Sequence, residues 1–402
     1  MADIFYAFIT AVRVSACFIA AYHFVISLFA WRKTKKKSVN NDNVYSFAVI
    51  VPAHNEEKVI SAALKSIFCV NYDKNYFDVF VIADNCTDNT ANIARESGAV
   101  VWERNNRLQT GKGHALKWGL NKLYSYGKKY DAVCIADADN IMDRNFLSAV
   151  SASFGEGYDS VQGQIETKNP FDSWVTASYY ITYLCVNKMY QKARHNIGFP
   201  VQLNGTGFAI KTELLKSVEW DESCLTEDIE ITAELIKRNI ITAYCEDALV
   251  YDEKPRGLMT SLRQRTRWMQ GQSDAMARYF SQLVRAMKTV NPLKVFDCII
   301  YLLQPLFFVM TGILTIVGIF DAFSFETFSA EKIIADGVLL LIQLCAVPLI
   351  LLSEGKLNKK TMLYYIPYLI FMYTWIPAAV SGIIKRREKT WFHTEHTVST
   401  IN

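Results

Sequence analysis

Clusters of acidic and polar residues follow three predicted strands in the first half of the chain. Continuous apolar runs predict the strands, and helical spacing between them predicts intervening helices. Strands that alternate with helices form a mostly parallel sheet, and ligands bind beyond the carboxyl ends of its strands. We therefore expect the three clusters to line one site. The strands are predicted over residues 45–52, 77–83 and 131–136, and the clusters cover residues 53–57, 84–88 and 137–140.

The third cluster contains an Asp-x-Asp pair that could bind a divalent cation. Asp137 and Asp139 are two residues apart at a strand end, so their side chains can point the same way, and oxygen ligands suit Mg²⁺ or Mn²⁺. Aspartate is also common in turns, which is the alternative. The sequence has no glycine-rich phosphate loop, so the diphosphate of a bound nucleotide would need a cation of this kind. The two neighbouring clusters favour the metal site.

A Thr-Glu-Asp triplet precedes a predicted helix in the second half of the chain. Thr226 could cap this helix, and acidic residues are favourable in a first helical turn in any case. The functional alternative makes Glu227 and Asp228 candidate catalytic residues, with Asp228 as a general base that removes a proton from an attacking hydroxyl. Both interpretations stay open on these residues alone.

Gln264, Arg267 and Trp268 share one face of an amphipathic helix predicted over residues 257–283, because they are spaced i, i+3 and i+4. A tryptophan offers a flat apolar surface for a sugar ring, and an arginine offers two parallel donors for a phosphate. The alternative is an interfacial helix whose arginines reach lipid headgroups. Since apolar segments begin soon after this helix, both interpretations can hold.

The apolar residues are concentrated at the two ends of the chain. The sequence has 402 residues, of which 51% are hydrophobic and 20% charged, with a net charge of +4. This composition excludes a disordered or collagen-like chain, and the lack of a basic stripe argues against nucleic-acid binding. Nine cysteines without a C-x-x-C pair argue against a zinc site and a disulfide framework.

We predict a transmembrane helix at 1–31, a cytoplasmic domain at 32–290, transmembrane and interfacial helices at 291–384 and a cytoplasmic tail at 385–402.

The amino-terminal apolar segment, residues 4–31, is long enough to cross a bilayer, which takes about 20 residues. The basic residues that follow it place the chain from residue 32 onward in the cytoplasm. A cleaved signal peptide would begin with basic residues, whereas Asp3 is acidic. The charges of the loops that connect and follow the later apolar segments do not fit three further full crossings of the bilayer. One of these segments is therefore expected to be interfacial or re-entrant. The later apolar segments cover residues 295–320, 333–352 and 362–384.

In their order along the chain, these motifs resemble the processive family 2 glycosyltransferases, the group of cellulose, hyaluronan and poly-N-acetylglucosamine synthases. The resemblance covers residues 45–285 and depends on the ordered set rather than on any one motif. The matching motifs are V-I-V-P-A-H-N-E-E at 49–57, the cluster at Asp84, Lys112-Gly113-His114, Asp137-x-Asp139, Asn204-Gly205-Thr206-Gly207, Thr226-Glu227-Asp228 and Gln264-x-x-Arg267-Trp268.

The resemblance implies an α/β GT-A domain, with a mostly parallel sheet covered by helices, embedded between transmembrane and interfacial helices. It also implies a UDP-sugar as donor and Mg²⁺ or Mn²⁺ as cofactor. Asp139 would bind the metal and Asp228 would be the base. The donor site would comprise Ala53, Glu56, Asp84, Lys112, Asp137, Gln264 and Arg267, and the acceptor site Asn204, Gly205, Thr206 and Trp268. The carboxyl-terminal residues loosely resemble the gating loop that closes over UDP in these synthases, with Trp391, Thr394 and His396 as the gating residues.

The activity that the resemblance implies is processive, inverting hexosyl transfer at the plasma membrane, with a β-linked polysaccharide as product that is moved across the bilayer. The Thr-Glu-Asp form resembles glucan and poly-N-acetylglucosamine synthases more than the Gly-Asp-Asp form of hyaluronan synthases. Of the two donors that this leaves, UDP-glucose is favoured and UDP-N-acetylglucosamine is the alternative. A single-addition transferase acting on a lipid acceptor is a further alternative, and a membrane sensor or transporter is the non-enzymatic one. The expected partners are the donor, the growing polysaccharide and the lipid bilayer, while accessory secretion proteins and a homo-oligomer are left open.

Overall fold

The computed structural model describes residues 2–32, 44–324, 345–388 and 396–401. Within them, eight strands form one sheet in the order β3-β2-β1-β4-β7-β6-β8-β5. The strands are β1 (Phe47–Ala53), β2 (Phe77–Asp84), β3 (Val100–Arg104), β4 (Ala132–Ile135), β5 (Ile141–Met142), β6 (Ser160–Thr167), β7 (Phe208–Lys211) and β8 (Thr242–Asp252).

The first half of the sheet is parallel, as predicted. β1 pairs in parallel with β2 and β4, and β2 pairs in parallel with β3. The carboxyl ends of β1, β2 and β4 therefore lie at one edge, directly before the three polar clusters. The second half is mixed, because β7 runs antiparallel to both β4 and β6.

Helices cover both faces of the sheet and continue into the apolar ends of the chain. A turn of π-helix at Val186–Lys192 joins the sixth helix to the seventh. The helices are α1 (Ala2–Ser27), α2 (Ile60–Phe68), α3 (Thr90–Glu96), α4 (Lys112–Tyr124), α5 (Phe146–Gly155), α6 (Trp174–Cys185), α7 (Ala193–Asn196), α8 (Thr212–Ser217), α9 (Glu227–Lys237), α10 (Leu258–Ala286), α11 (Pro292–Leu302), α12 (Gln304–Ser324), α13 (345–353), α14 (Lys359–Tyr373) and α15 (Trp375–Ile384).

The continuous apolar runs of the strands are explained by burial on both faces. Phe47, Val49 and Val51 of β1 pack on one side with residues of α2 and α5. Ala48 and Ile50 point to the other side and pack with residues of α4, α8 and α9. Because alternate side chains of a strand point to opposite faces, a strand that is covered on both faces needs apolar residues at every position. This packing fixes the carboxyl ends of the strands and hence the polar clusters.

Helix α10 connects the sheet domain to the apolar helices. Its residues Ala275, Tyr279 and Leu283 pack against α9 on one side and α11 on the other. Helix α15 lies close to α10 at Gly382, where a Cβ atom would come within 2.5 Å of the Cβ of Met269. The face of α10 that carries the predicted binding residues is therefore held between the sheet domain and the helices that follow.

Two described helices, Asp3–Trp31 and Lys359–Ile384, are long and apolar enough to cross a membrane. The segment predicted over 295–320 as one apolar stretch is instead two helices, α11 and α12, bent by 55° at Leu303. Pro305 lies in the first turn of α12, where a missing N–H is tolerated, and it cannot continue the hydrogen bonding of α11. Most of the segment predicted over 333–352 lies outside the described residues. The predicted domain boundaries stay a prediction.

A buried ion pair ties helix α1 to the rest of the molecule. The guanidinium of Arg194 donates from Nε to Asp297 Oδ2 and from Nη2 to Asp297 Oδ1, both at 2.9 Å, and the side chains are 1% and 4% exposed. The hydroxyl of Tyr22 in α1 donates to the same carboxylate at 2.8 Å. We expect Asp297→Ala to lower the free energy of unfolding by about 3–5 kcal/mol, because it leaves a buried guanidinium without its anion.

Unfolding in detergent tests this expectation. The double replacement Arg194→Met with Asp297→Leu should recover much of the loss, since it removes both charges. The exposed pair of Lys192 and Glu246 is the control, and Glu246→Ala should change stability by at most about 1 kcal/mol. A loss no larger than that of Glu246→Ala would show that the buried pair is not a structural tie.

Candidate active site

A cavity of about 330 Å³ opens at the carboxyl ends of β1, β2 and β4. Every predicted site residue within the described residues lines it, including Asp84, Asp139, Asp228 and Trp268, which come from four separate parts of the chain. Trp391 and Thr394 lie outside the described residues. The geometry therefore brings the predicted residues together, while their individual roles stay predictions.

The wall formed by β1 and β2 carries a buried ion pair. Asp84, 6% exposed, accepts a hydrogen bond from Nη1 of Arg104 at 2.6 Å, and Arg104 is itself 4% exposed. His54 is bonded through Nδ1 to the backbone carbonyl of Asp84 at 2.6 Å. The backbone N–H of Glu56 donates to the hydroxyl of Thr90 at 2.8 Å. These bonds fix a polar concave wall that could receive a nucleobase and its ribose.

Asp139 lies on the floor of the cavity with its side chain 5% exposed. Its Oδ2 accepts a hydrogen bond from the backbone N–H of Glu253 and lies 3.9 Å from Nε2 of His396. Burial raises the pKa of Asp139 to about 7, although His396 acts against this shift. Among the described residues, no three His, Cys, Asp or Glu side chains are grouped closely enough to hold a metal ion on their own. The Asp139 carboxylate fits a divalent cation whose other ligands come from a bound diphosphate and water, and the imidazole of His396 fits as a further ligand only when it is deprotonated.

Lys112, at the start of α4, bridges three of the predicted site segments. Its ammonium group donates to Asp137 Oδ1 at 2.5 Å and to the backbone carbonyl of Gly205 at 2.6 Å, and it lies 3.5 Å from Glu227 Oε1. Burial alone would lower the pKa of Lys112, but the charges of Asp137, Glu227 and Asp228 raise it above its ordinary value. The ammonium group therefore stays charged and holds the acidic residues in place.

The predicted acceptor segment is a loop whose backbone is fixed by a buried glutamine. Gln162 of β6 donates from Nε2 to the carbonyls of Thr206 and Gly207, and its Oε1 accepts the N–H of Asn204 at 2.9 Å. Gly205 and Gly207 have φ angles of +77° and +62°, which side chains other than hydrogen rarely allow. A Cβ on Gly207 would also lie 2.5 Å from Val250.

The Thr-Glu-Asp triplet begins α9, with Thr226 as the N-cap residue, but its side chain makes no capping hydrogen bond. The geometry therefore does not support a capping role for the side chain of Thr226. The Oδ1 of Asp228 accepts the N–H of Ile229 at 2.9 Å, while its Oδ2 lies 3.5 Å from the position that a Cβ on Gly205 would occupy. Burial and the charge of Glu227 raise the pKa of Asp228 to about 7, with Lys112 acting against them. A carboxylate with this pKa can accept a proton near neutral pH.

The opposite wall is the predicted binding face of α10, which brings Gln264, Arg267 and Trp268 into the cavity. Trp268 stacks on Trp375 of α15, with ring centroids 6.2 Å apart, and Trp375 stacks on Phe308 of α12 at 5.4 Å. The aromatic wall thus extends from the cavity toward the apolar helices.

Of the predicted gating residues, His396 lies in the cavity. Its Nδ1 is 3.0 Å from Oε1 of Glu56, on the opposite side of the ring from Asp139. Burial lowers the pKa of His396, but the charge of Asp139 and the contact with Glu56 outweigh it and raise the pKa to about 10. The gating role stays a prediction.

Four residues that shape the site were missed in the sequence. Arg104 ends β3 and Glu253 follows β8, so a charged residue at a strand end was the available signal for both. Gln162 lies inside a strand and Trp375 on a distant helix, and no local pattern marks either of them.

The comparisons with known proteins agree with this geometry. Residues 45–271, more than half of the chain, match the family model described as "Glycosyltransferase like family 2". The probable glycosyltransferase YdaM of Bacillus subtilis (strain 168) is 23% identical over 386 residues, which is 91% of this chain and 89% of that protein. The poly-beta-1,6-N-acetyl-D-glucosamine synthase of Staphylococcus aureus (strain COL) is 24% identical over 277 residues, which is 67% of this chain and 65% of that protein.

Among solved structures, the mannosyltransferase PcManGT from Pyrobaculum calidifontis, in complex with GDP-Man and Mn²⁺, superimposes with a TM-score of 0.61 at 19% identity. The match covers 94% of this chain and all of that one, and it confirms the predicted GT-A fold. The ordered motifs, the cavity that their residues share and the family match agree, and the chain belongs to glycosyltransferase family 2.

Proposed function

We propose that this glycosyltransferase polymerises a UDP-sugar into a β-linked polysaccharide by processive, inverting transfer. The observation that supports it most is the position of Asp228, which lines the same cavity as the donor-site residues and Trp268. One base on the acceptor side suits direct displacement at the anomeric carbon, and an α-linked donor then gives a β-linked product.

In the proposed reaction, Asp228 takes the proton from the acceptor hydroxyl while the hydroxyl oxygen bonds to the anomeric carbon. The bond from this carbon to the diphosphate breaks at the same time, and UDP leaves with its electron pair. Lys112 and Arg267 line the cavity with positive charge that stabilises the departing diphosphate. Asp139 would hold Mg²⁺ or Mn²⁺, and His396 would join it only with its ring deprotonated, because a protonated imidazole cannot bind a metal. The cation when bound stabilises the charge developing on the leaving group.

The donor sugar has two candidates. The sequence prediction favours glucose, although the Thr-Glu-Asp motif fits both sugars. Similarity to the relative named poly-beta-1,6-N-acetyl-D-glucosamine synthase favours N-acetylglucosamine. Purified protein with Mn²⁺ and each UDP-sugar of a radiolabelled panel decides between them. Incorporation from one donor into material that a β-specific glycosidase digests is the expected result. No incorporation from any UDP-sugar would contradict the proposed donor class.

Processivity is supported by the aromatic wall from Trp268 to Phe308, which leads from the cavity to the apolar helices. We propose that a growing chain leaves the cavity beside this packed aromatic cluster. A pulse of labelled donor followed by an excess of unlabelled donor should lengthen the labelled products. Labelled products with one added sugar throughout the chase would instead support transfer to a lipid acceptor.

The membrane setting is part of the same proposal. The two described candidate spans support a location in a membrane, which we propose is the plasma membrane. The basic residues after position 31 favour a catalytic domain on the cytoplasmic side, where UDP-sugars are made. Protease protection of the domain in sealed right-side-out vesicles would test this orientation.

The raised pKa of Asp228 gives a pH dependence of defined sign. A base must be deprotonated to act, so kcat/KM should rise with pH, and below about pH 7 it should fall about tenfold per unit. The Kd for UDP measured over the same range separates this effect from changes in donor binding. A kcat/KM that stays flat between about pH 6 and 8 would exclude Asp228 as the titrating base.

A further inference from the structure

The carboxyl-terminal segment 396–398 is attached to the cavity rim through its backbone. The N–H of Val398 donates to Oε2 of Glu253 at 2.9 Å, and the N–H of Thr397 donates to the same carboxylate at 3.1 Å. Nη1 of Arg256 donates to the hydroxyl of Thr397 at 3.0 Å, and Val398 is 7% exposed. Backbone bonds to a carboxylate are charge-assisted and stronger than those between neutral groups.

Glu253 is itself rigidly placed beside the predicted metal ligand. It follows β8 directly, and its side chain is 6% exposed and lies 3.7 Å from the ammonium group of Lys168. Its backbone N–H donates to Oδ2 of Asp139, and Lys168 donates to the backbone carbonyl of Asp139. One residue therefore contacts both Asp139 and the terminal segment.

This attachment places His396 between Glu56 and Asp139, where its two ring nitrogens face one carboxylate each. His396 is the residue of the segment whose side chain enters the cavity. Thr397 and Val398, at the next two positions, anchor the segment. The backbone of the segment is thus bonded to Glu253 at both positions that follow the ring.

We propose that Glu253 is a positioning residue that latches segment 396–398 onto the active site and so presents His396 to the site of the donor and its cation. The proposal deepens the proposed function and rests on it for the identity of that donor. The latch itself, however, is a property of the protein without donor or metal and can be measured without either.

Amide hydrogen exchange of the purified, metal-free protein measures the latch, because the amides of Thr397 and Val398 are the bonded groups. Glu253→Ala should speed exchange of the terminal amides by at least about tenfold. Val398→Pro removes one donor from the terminal segment and leaves Glu253 and Lys168 untouched, so it should speed exchange of the Thr397 amide without disturbing the domain. Glu246→Ala, an exposed residue on β8, is the matched control and should leave exchange unchanged.

The Kd for UDP in the presence of Mn²⁺ tests whether the latch supports donor binding by presenting His396. Loss of a residue that orients a metal ligand lowers metal affinity about 10- to 100-fold, so Kd should rise by about this factor in Glu253→Ala and in Val398→Pro. Terminal amides that exchange freely in the unaltered protein, or stay protected in both variants, would overturn the latch. Released amides with an unchanged Kd would overturn its role in presenting His396. If the unaltered protein binds no UDP, the proposed function fails, whereas the exchange result still decides whether Glu253 latches the segment.

Discussion

Asp228→Asn is expected to lower kcat by about 10³-fold, because asparagine cannot accept the proton of the acceptor hydroxyl. The substitution preserves the size of the side chain and its ability to accept the hydrogen bond from Ile229. Donor binding should therefore survive, with a Kd for UDP within about twofold of the original value. Initial rates with the active UDP-sugar and calorimetric titration with UDP and Mn²⁺ measure the two quantities separately.

Glu234→Gln provides the control for this prediction, since Glu234 lies on the same helix but pairs with Lys237 outside the cavity. Its rate should stay within about twofold of the unaltered enzyme. If the protein were a sensor, its binding of UDP would change little in Asp228→Asn and neither variant would show turnover. If Asp228→Asn retained most of the turnover, Asp228 would not be the base. Equal losses of turnover and UDP binding would indicate that Asp228 binds the donor instead.

Lys112→Met is expected to have the second-largest effect. It removes the positive charge that Asp137, Gly205 and Glu227 share and leaves acidic side chains without their cation in the cavity. The cavity would then repel the diphosphate of the donor and lose a group that stabilises the leaving UDP. We expect kcat/KM to fall by about 10²- to 10³-fold. The free energy of unfolding should fall by only about 1 kcal/mol, because the side chains of Lys112 and Asp137 are 21% and 34% exposed and solvent screens the pair.

Lys117→Met, on the same helix, separates the charge at the cavity from the general loss of a lysine. Lys117 lies over the ring of Trp220 rather than in the cavity, and its replacement should cost at most about 1 kcal/mol of stability and little activity. An activity loss in Lys112→Met that is no greater than in Lys117→Met would show that Lys112 does not serve the donor site.

The positions of the acidic clusters could be predicted because they depend on local patterns. Each apolar run between turn signals marks a buried strand, and a parallel sheet brings the carboxyl ends of its strands to one edge. Asp84 and the Asp137–Asp139 pair were placed in one site by this rule alone. The binding face of α10 followed from helical spacing, since Gln264, Arg267 and Trp268 must share a face if the helix is continuous.

The rest of the site depends on contacts between residues that are far apart in sequence. Arg104 pairs with Asp84 only because β3 lies beside β2, and Trp375 reaches Trp268 only because α15 packs on α10 at Gly382. The attachment of Val398 to Glu253 spans 145 residues, and neither residue lies in a motif. A re-entrant or interfacial segment was expected among the later apolar segments, but the sequence did not show which one, because hydropathy measures the apolar length of a segment and not its direction. The bend at Leu303 lies in the segment 295–320.

A structure of the purified protein with UDP and Mn²⁺, determined by electron cryomicroscopy, tests most directly whether one cavity holds the donor, the cation and the base. We predict that the uracil ring lies against the wall that carries Asp84, that Mn²⁺ lies next to Asp139, and that the diphosphate lies on the side of Arg267. Asp228 should then face the open space where an acceptor sugar would bind. UDP bound at any other place on the molecule, or bound with Asp139 and Asp228 on opposite sides of a closed wall, would contradict the account.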